Sequence, residues 1–298
     1  MFVGSEPLDL RLVLIDSAQC FHWTELSDGS FAGAVNGVPV RLWREDDGIH
    51  AEGDMDVASL RRYLDLDRDY AGVAAEYAHI PAARRAIELY PGMRVLNQPA
   101  WEALIAFILS ANNNVSRIRK LVTDISAAFG PQFEVNGREI YGFPSPIVLA
   151  ECDEDELRAL GAGYRAPFLI GTALAVCDGF PLNDLRDMDY EEAHELLTML
   201  PGVGDKVADC VLLFGCGHAS AFPVDVWVER LLKSWFGIEC KDRTKMMRIA
   251  RKQLGAHAGL LQQFLFHAAR MGEPYLRSVA NGESSATDFA ESCALISC

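Results

Sequence analysis

The sequence predicts an α+β fold, an N-terminal antiparallel twisted β-sheet domain followed by a mainly helical domain. Three observations predict it. An Asn-Gly pair near the N-terminus lies between two apolar stretches, apolar residues take up helical spacing from about residue 57, and a Pro-Gly-Val-Gly turn joins two helical stretches near residue 200.

The strands come first, and the first fifty or so residues read as a meander of antiparallel strands. "FAGAVNGVPVRLW" (31–43) places Asn36-Gly37 between apolar arms, the strongest short hairpin signal. Val38, Val40 and Leu42 fall on one face, and Pro39 suggests an edge strand. Asp46-Asp47-Gly48 marks a further turn.

The helices follow. Trp101, Leu104, Ile105 and Ile108 recur at helical spacing, as do Ile118, Leu121, Val122, Ile125 and Phe129, a run stopped by Gly130-Pro131. Pro167 opens a helix over 168–177, and Asp189 with Glu192 resembles a capping box ahead of 190–200. Further helices are expected at 206–216, 224–236, 244–254 and 257–271. The expected division is 1–95 for the β domain with flanking helices and 96–276 for the helical domain, with 277–298 an unassigned tail.

Composition narrows the function. In 298 residues, half apolar and 23% charged, no segment approaches the roughly 18 to 20 apolar residues of a membrane span. The N-terminus lacks a basic lead, so a cytoplasmic location is expected. No two of the eight cysteines form a CxxC pair, so free thiols are expected, with Cys293 and Cys298 the remaining metal candidates. The net charge of −15 argues against a nucleic-acid partner only if it is spread evenly. It is not: "ECDEDE" (151–156) and "DLRDMDYEEAHE" (184–195) concentrate acids, whereas "KDRTKMMRIARK" (241–252) carries six bases and one acid.

The decisive stretch is "LPGVGDKVADC" (200–210). A Walker A loop needs four residues between its glycines and Ser/Thr after the lysine. Here Gly202 and Gly204 are one residue apart and Val207 follows Lys206. A dinucleotide fingerprint needs a third glycine where Val207 stands and a preceding strand, and the preceding stretch is helical. What remains is helix, tight turn, helix. Its glycines let the backbone pass close to a partner and expose amides at a helix start, which suits one DNA phosphate. Lys206 is then either a phosphate contact or a nucleophile. "PVD" (223–225) follows, and Asp225 fits both an N-cap and a carboxylate near a developing positive charge.

Lys206 in this hairpin with the later Pro-Val-Asp resembles the helix-hairpin-helix-GPD superfamily of base-excision DNA glycosylases, and within it the 8-oxoguanine DNA glycosylase/AP lyases, over residues 9 to 272. The resemblance implies the glycosylase N-terminal type for the β domain. It makes Lys206 the nucleophile of a Schiff base and Asp225 its electrostatic partner, with Cys210 beside the lysine. In "SAQCFHW" (17–23) it places a backbone carbonyl at Ala18 against the damaged base, at a position usually glycine. In "ANNNVSRI" (111–118) it makes Asn112 and Arg117 readers of the opposite cytosine. In "LGAGYRA" (160–166) it makes Tyr164 a wedge and Arg165 a second reader. Gln262 and Phe266 become the base's edge contact and stacking wall. Gly202, Gly204 and Val207 hold phosphate, and Trp227, where a histidine is common, either donates to phosphate or packs. The implied partner is double-stranded DNA containing 8-oxoguanine, bound by a monomer. No cofactor is implied beyond a structural monovalent cation at the hairpin.

Two rival readings stand beside this. One is a relative acting on another oxidised or alkylated base. Lys206 argues against purely hydrolytic alkylpurine enzymes, and the unclustered cysteines argue against endonuclease III-like ones. The other is a non-catalytic DNA-binding module, which has no need of Asp225.

Overall fold

The computed structural model describes residues 1–271 apart from 239; the tail at 277–298, with Cys293 and Cys298, lies outside the described residues. In chain order, strands β1 (Phe2–Gly4), β2 (Thr24–Glu25), β3 (Phe31–Val35), β4 (Val38–Glu45) and β5 (Gly48–Gly53) precede helices α1 (Val57–Tyr63), α2 (Tyr70–Glu76), α3 (Pro81–Leu89), α4 (Ala100–Ser110) and α5 (Val115–Phe129). A hairpin of β6 (Gln132–Val135) and β7 (Arg138–Tyr141) leads to α6 (Pro146–Ala150), α7 (Glu154–Ala159), α8 (Ala166–Cys177), α9 (Tyr190–Thr198) and α10 (Asp205–Phe214). The described chain ends with α11 (Val226–Phe236), α12 (Arg243–Leu254) and α13 (Ala258–Met271). This is the expected α+β class.

The five-stranded sheet has the order β1-β5-β4-β3-β2, all neighbours antiparallel. Asn36 and Gly37 both take positive φ, as the tight turn between β3 and β4 requires. Two expectations need correction. Pro39 does not mark an edge, because β4 is the central strand. Pro39 pairs with Ala34, and pairing to β5 begins only at Val40, so its missing N–H falls where no ladder bond is needed. Nor is residue 12–16 strand. Leu12–Asp16 forms one wide helical turn closed by the Ser17 amide on the Leu12 carbonyl, 2.8 Å.

The chain forms two compact units, each assembled from separate segments. The first comprises 1–67 and 94–217. Its core is α4, buried over 102–109, against which α10 and α5 pack. Glu102 on that helix is buried; its Oε1 accepts the Asn36 amide at 2.7 Å, and its Oε2 lies 3.9 Å from His22 Nε2. The capping box foreseen at Asp189 is absent: Asp189 occupies the N-cap position of α9 without a side-chain bond. "ECDEDE" is the solvated start of α7, with Asp153 capping the Asp155 amide at 2.7 Å.

Burial pushes the Glu102 carboxyl up to about 8, and burial, helped by the Arg119 charge, pushes His22 down to about 3. The two have opposite consequences. The Glu102 contribution is fully present below its ordinary value and is lost as pH rises through the raised one; that of His22 is present above its ordinary value and lost as pH falls. At about 1.4 kcal/mol per pKa unit the two offset each other between about pH 5 and 6.5, and stability should fall by about 2 kcal/mol between about pH 6.5 and 8. Thermal melts should show that decline above about pH 6.5 in the parent and a flat profile there in Glu102→Gln, which keeps an acceptor for Asn36.

The second unit comprises 68–93 and the chain from 218. Helix α13 packs on α3, α11 and α12. Helix α12 buries Met246, Met247, Ala250 and Leu254 and exposes Lys245, Arg248 and Lys252, so the basic run lies on the outer face of an amphipathic helix. Among the described residues no helix is long and apolar enough to cross a membrane.

Candidate active site

The hairpin joins α9 to α10 in the first unit. Gly202 has φ +77°, and a Cβ there would lie 2.7 Å from the Phe168 side chain, so two constraints select glycine. Val203 is buried and anchors the turn. Gly204 occupies the N-cap of α10 and has no side chain to cap it. The opening amides of α10, including those of Lys206 and Val207, therefore have no intrahelical acceptor.

Lys206 stands in that first turn, half-buried. Its Nζ donates to Ser110 Oγ at 2.9 Å and sits 5.1 Å from the Phe107 ring centre. Cys210, one helical turn on, is buried on the same face.

Ala18 has φ +59°, a left-handed conformation that costs a non-glycine residue about 1 kcal/mol or more. Its neighbours enforce it. Ser17 Oγ donates to the Val13 carbonyl, and Gln19 Nε2 donates to Ser17 Oγ and the Arg94 carbonyl. Gln19 in turn accepts the Leu96 amide on Oε1 and Gln98 Nε2 on its carbonyl. Both flanking residues are fully buried, so this network holds the Ala18 peptide rigid at the end of the wide turn.

The loop 111–114 is similarly braced. Asn112 has φ +49° and is exposed; Asn114 caps α5 by accepting the Arg117 amide at 3.0 Å. Arg117 is exposed and makes no ion pair among the described residues. Tyr164 Oη donates to the Ala111 carbonyl at 3.1 Å. Arg165 is buried at 4% exposure, with Nε on the Ala111 carbonyl at 2.9 Å and Nη2 on the Ala111 and Asn112 carbonyls, the latter at 3.1 Å. Its guanidinium stacks on the Tyr164 ring at 4.4 Å. Tyr164 and Arg165 thus converge on the Asn112 loop, and Arg165 braces that loop's backbone.

The second unit carries the remaining candidates. Asp225 is the N-cap of α11, its Oδ1 accepting the Val228 amide at 2.8 Å. Its Oδ2 has no hydrogen bond among the described residues. Gln262 is buried on α13; its Nε2 donates to the Pro223 carbonyl at 3.3 Å, two residues before Asp225, and its Oε1 has no partner among the described residues. Phe266, one turn further along α13, is half-buried with Arg270 6.0 Å from its ring centre. Trp227 is 37% exposed and lies beneath Arg230 at 5.7 Å.

Metal-ligating groups lie elsewhere. Among the described residues, Glu45, Asp47 and His50 have ligand atoms within 4.8 Å of one another, on the β4–β5 turn, where His50 Nε2 is already bonded to Asp47 Oδ1 at 2.7 Å.

The sequence profile of the HhH-GPD superfamily of base excision DNA repair proteins matches residues 105–256, half of the chain. The chain belongs to that superfamily. A second profile, the N-terminal domain of 8-oxoguanine DNA glycosylase, matches residues 1–104. This HhH-GPD protein is 36% identical over 203 residues to a probable N-glycosylase/DNA lyase of Methanothermobacter thermautotrophicus, covering 61% of the chain and 65% of the relative. It is 34% identical over 209 residues to the N-glycosylase/DNA lyase of Saccharomyces cerevisiae, covering 63% and 56%. Each match spans less than two thirds of the curated relative. Among solved structures, the 8-oxoguanine glycosylase/lyase of Clostridium acetobutylicum bound to double-stranded DNA with cytosine opposite 8-oxoG superposes with TM-score 0.84 at 31% identity, over 90% of this chain and 93% of that one.

The groups that fix the candidate residues of this HhH-GPD protein in place leave no mark in the sequence. Ser110 holds the lysine, Gln19 pins the Ala18 turn, and the Ala111 carbonyl gathers Tyr164 and Arg165. Periodicity marks α4 but gives no sign of what its last residue touches.

Proposed function

We propose that this protein is a bifunctional DNA glycosylase/AP lyase that flips out 8-oxoguanine, preferably opposite cytosine, excises it through a Lys206 Schiff base and nicks the strand by β-elimination. The carrying observation is Lys206 itself: an amine held in the first turn of α10, directly after a glycine turn with uncapped amides.

The base must leave the stack before its sugar can be attacked, at a cost of a few kcal/mol. Exposed Tyr164 is suited to fill the gap, and exposed Asn112 and Arg117 to bond the widowed cytosine. The α10 amides of Lys206 and Val207, reached past Gly202 and Gly204, suit a phosphate. Exposed Trp227 offers its ring N–H to another. The partnerless Oε1 of buried Gln262 is a standing acceptor for the N–H groups on a purine's edge. Phe266 supplies an aromatic face, and the rigid Ala18 peptide offers its carbonyl to the N7 hydrogen of the oxidised base. Cys210 adjoins the lysine on α10 and acts with it in preferring that base.

In the chemistry, the Nζ lone pair of the neutral amine bonds to C1′ as the C1′–N9 bond breaks, and the departing base takes up a proton. Asp225 stabilises the positive charge that develops at the sugar. The ring then opens at C1′–O4′; O4′ gains a proton and Nζ shares a double bond with C1′. Removal of a C2′ proton forms C2′=C3′ and expels the 3′ phosphate, nicking the strand.

This reaction calls for no catalytic metal. The Leu200 and Pro201 carbonyls each accept one hydrogen bond, from Val203 and Thr172, and keep a lone pair free. A structural monovalent cation fits such a set. We place the enzyme in the cytoplasm, acting as a monomer on duplex DNA.

The test is cleavage of duplexes carrying 8-oxoguanine opposite each of the four bases. Cytosine should be preferred by about tenfold or more, and Arg117→Ala should flatten that preference, one lost charge-assisted bond being worth about 1.5–3 kcal/mol. Equal cleavage of all four duplexes would remove the reading roles of Asn112, Arg117 and Arg165.

A further inference from the structure

We infer that Ser110 is a positioning residue for Lys206: its hydroxyl fixes the direction of the attacking amine. This rests on the reading of Lys206 as nucleophile.

Ser110 is the last residue of α4, and its Oγ donates to the Phe107 carbonyl, three residues back, at 2.7 Å. This is the back-bond that serine makes at helix ends. A hydroxyl has one proton and two lone pairs. With the proton directed at Phe107, Ser110 offers Lys206 only an acceptor. Nζ lies 2.9 Å from it and is the donor.

That polarity bears on the reaction. Ammonium and neutral amine both have N–H groups to donate, so the contact survives loss of the proton. In the neutral amine an N–H directed at Ser110 turns the lone pair away from Ser110, where it is free to attack. Had the serine donated instead, it would have occupied the electrons that form the bond to C1′.

The same helix fixes the amine a second time. The Phe107 ring lies 5.1 Å from Nζ. That ring is itself immobile: it stacks on Phe214 at 5.2 Å and 16°, and meets Phe21 edge-on at 6.0 Å and 75°. All three aromatics are buried. A free lysine side chain has about 2 kcal/mol of rotamer entropy to lose before it can react. Two contacts from one rigid turn of α4 restrict it beforehand, which is how preorganised groups raise rates.

Ser110→Ala removes the acceptor, and Ser110→Thr keeps a hydroxyl able to make the same back-bond. The measurements are single-turnover excision and borohydride trapping at saturating enzyme, with affinity for a duplex holding a tetrahydrofuran abasic analogue. Ser110→Ala should slow both rates about tenfold, the size of one lost hydrogen bond, with Kd within about twofold. Ser110→Thr should recover to within about threefold of the parent. The proposal falls if Ser110→Ala reacts at the parental rate, if the loss is in Kd alone, or if Ser110→Thr is as slow as Ser110→Ala. If the alanine variant melts early, the threonine comparison still decides, since a role in folding alone gives no rate loss in the folded fraction. Lys206→Gln in the same assays separates the two levels. Excision surviving in Lys206→Gln overturns the nucleophile reading, whereas full speed in Ser110→Ala with an inert Lys206→Gln overturns only the role of Ser110.

Discussion

Lys206→Gln is expected to lose strand nicking and borohydride trapping by on the order of 10³-fold or more, while binding 8-oxoguanine duplexes with nearly parental affinity. Glutamine is the informative replacement. Its amide N–H can still donate to Ser110 Oγ, so the α4–α10 contact is not simply deleted, but it has no basic lone pair with which to bond C1′. The lysine is half-buried on a helix whose core positions 207–214 are untouched by the change, so folding should be preserved. Binding should survive because the donors proposed to hold phosphate at the start of α10 are backbone amides, which the change leaves in place. A melt and a gel-shift measurement control both points. An adduct trapped by borohydride in the variant would show that another amine forms the Schiff base. Base excision without nicking would restrict Lys206 to the lyase step and leave water as the first nucleophile.

The boundaries of this site were readable because they are local. Pro-Gly-Val-Gly-Asp-Lys specifies its own turn: Gly202 takes φ +77° and α10 begins at Asp205, one residue before the expected start. Helices α4 and α5 follow from apolar spacing, and the β3–β4 hairpin follows from Asn36-Gly37. An equal signal went unread at Asn136-Gly137, which turns β6 into β7 with both residues at positive φ. Its flanking residues are half polar, and Ile140, Phe133 and Val135 bind it to the Ala32–Ala34 side of the sheet. The misreading of Pro39 has another origin. Proline excludes ladder bonds at one residue, and strand order depends on β5, which no local rule at Pro39 foresees. Least legible were contacts between distant segments. The pinning of Ala18 by residues 94–98 spans about eighty positions, and the Lys206–Ser110 bond spans 96. A single sequence carries no local trace of either.

Asp225 offers the sharpest separation of stability from chemistry, because its two oxygens have different surroundings. Oδ1 is the N-cap of α11, 2.8 Å from the Val228 amide. Oδ2 has no bond among the described residues and is the oxygen left for a developing positive charge. Asparagine caps a helix about as well as aspartate. Asp225→Asn should therefore melt within a degree or two of the parent, yet excise about 10²- to 10³-fold more slowly, the scale of losing one aligned electrostatic partner. Asp225→Ala should lose a similar factor in rate and, in addition, about 1 kcal/mol of stability for the missing cap. In a chain of this size that corresponds to roughly 2–4 °C in Tm. The pair of variants makes the two roles additive and separately measurable. If Asp225→Asn excises at the parental rate while Asp225→Ala is merely less stable, the carboxylate is a cap and nothing more. The charge at the sugar must then be met by phosphate or solvent.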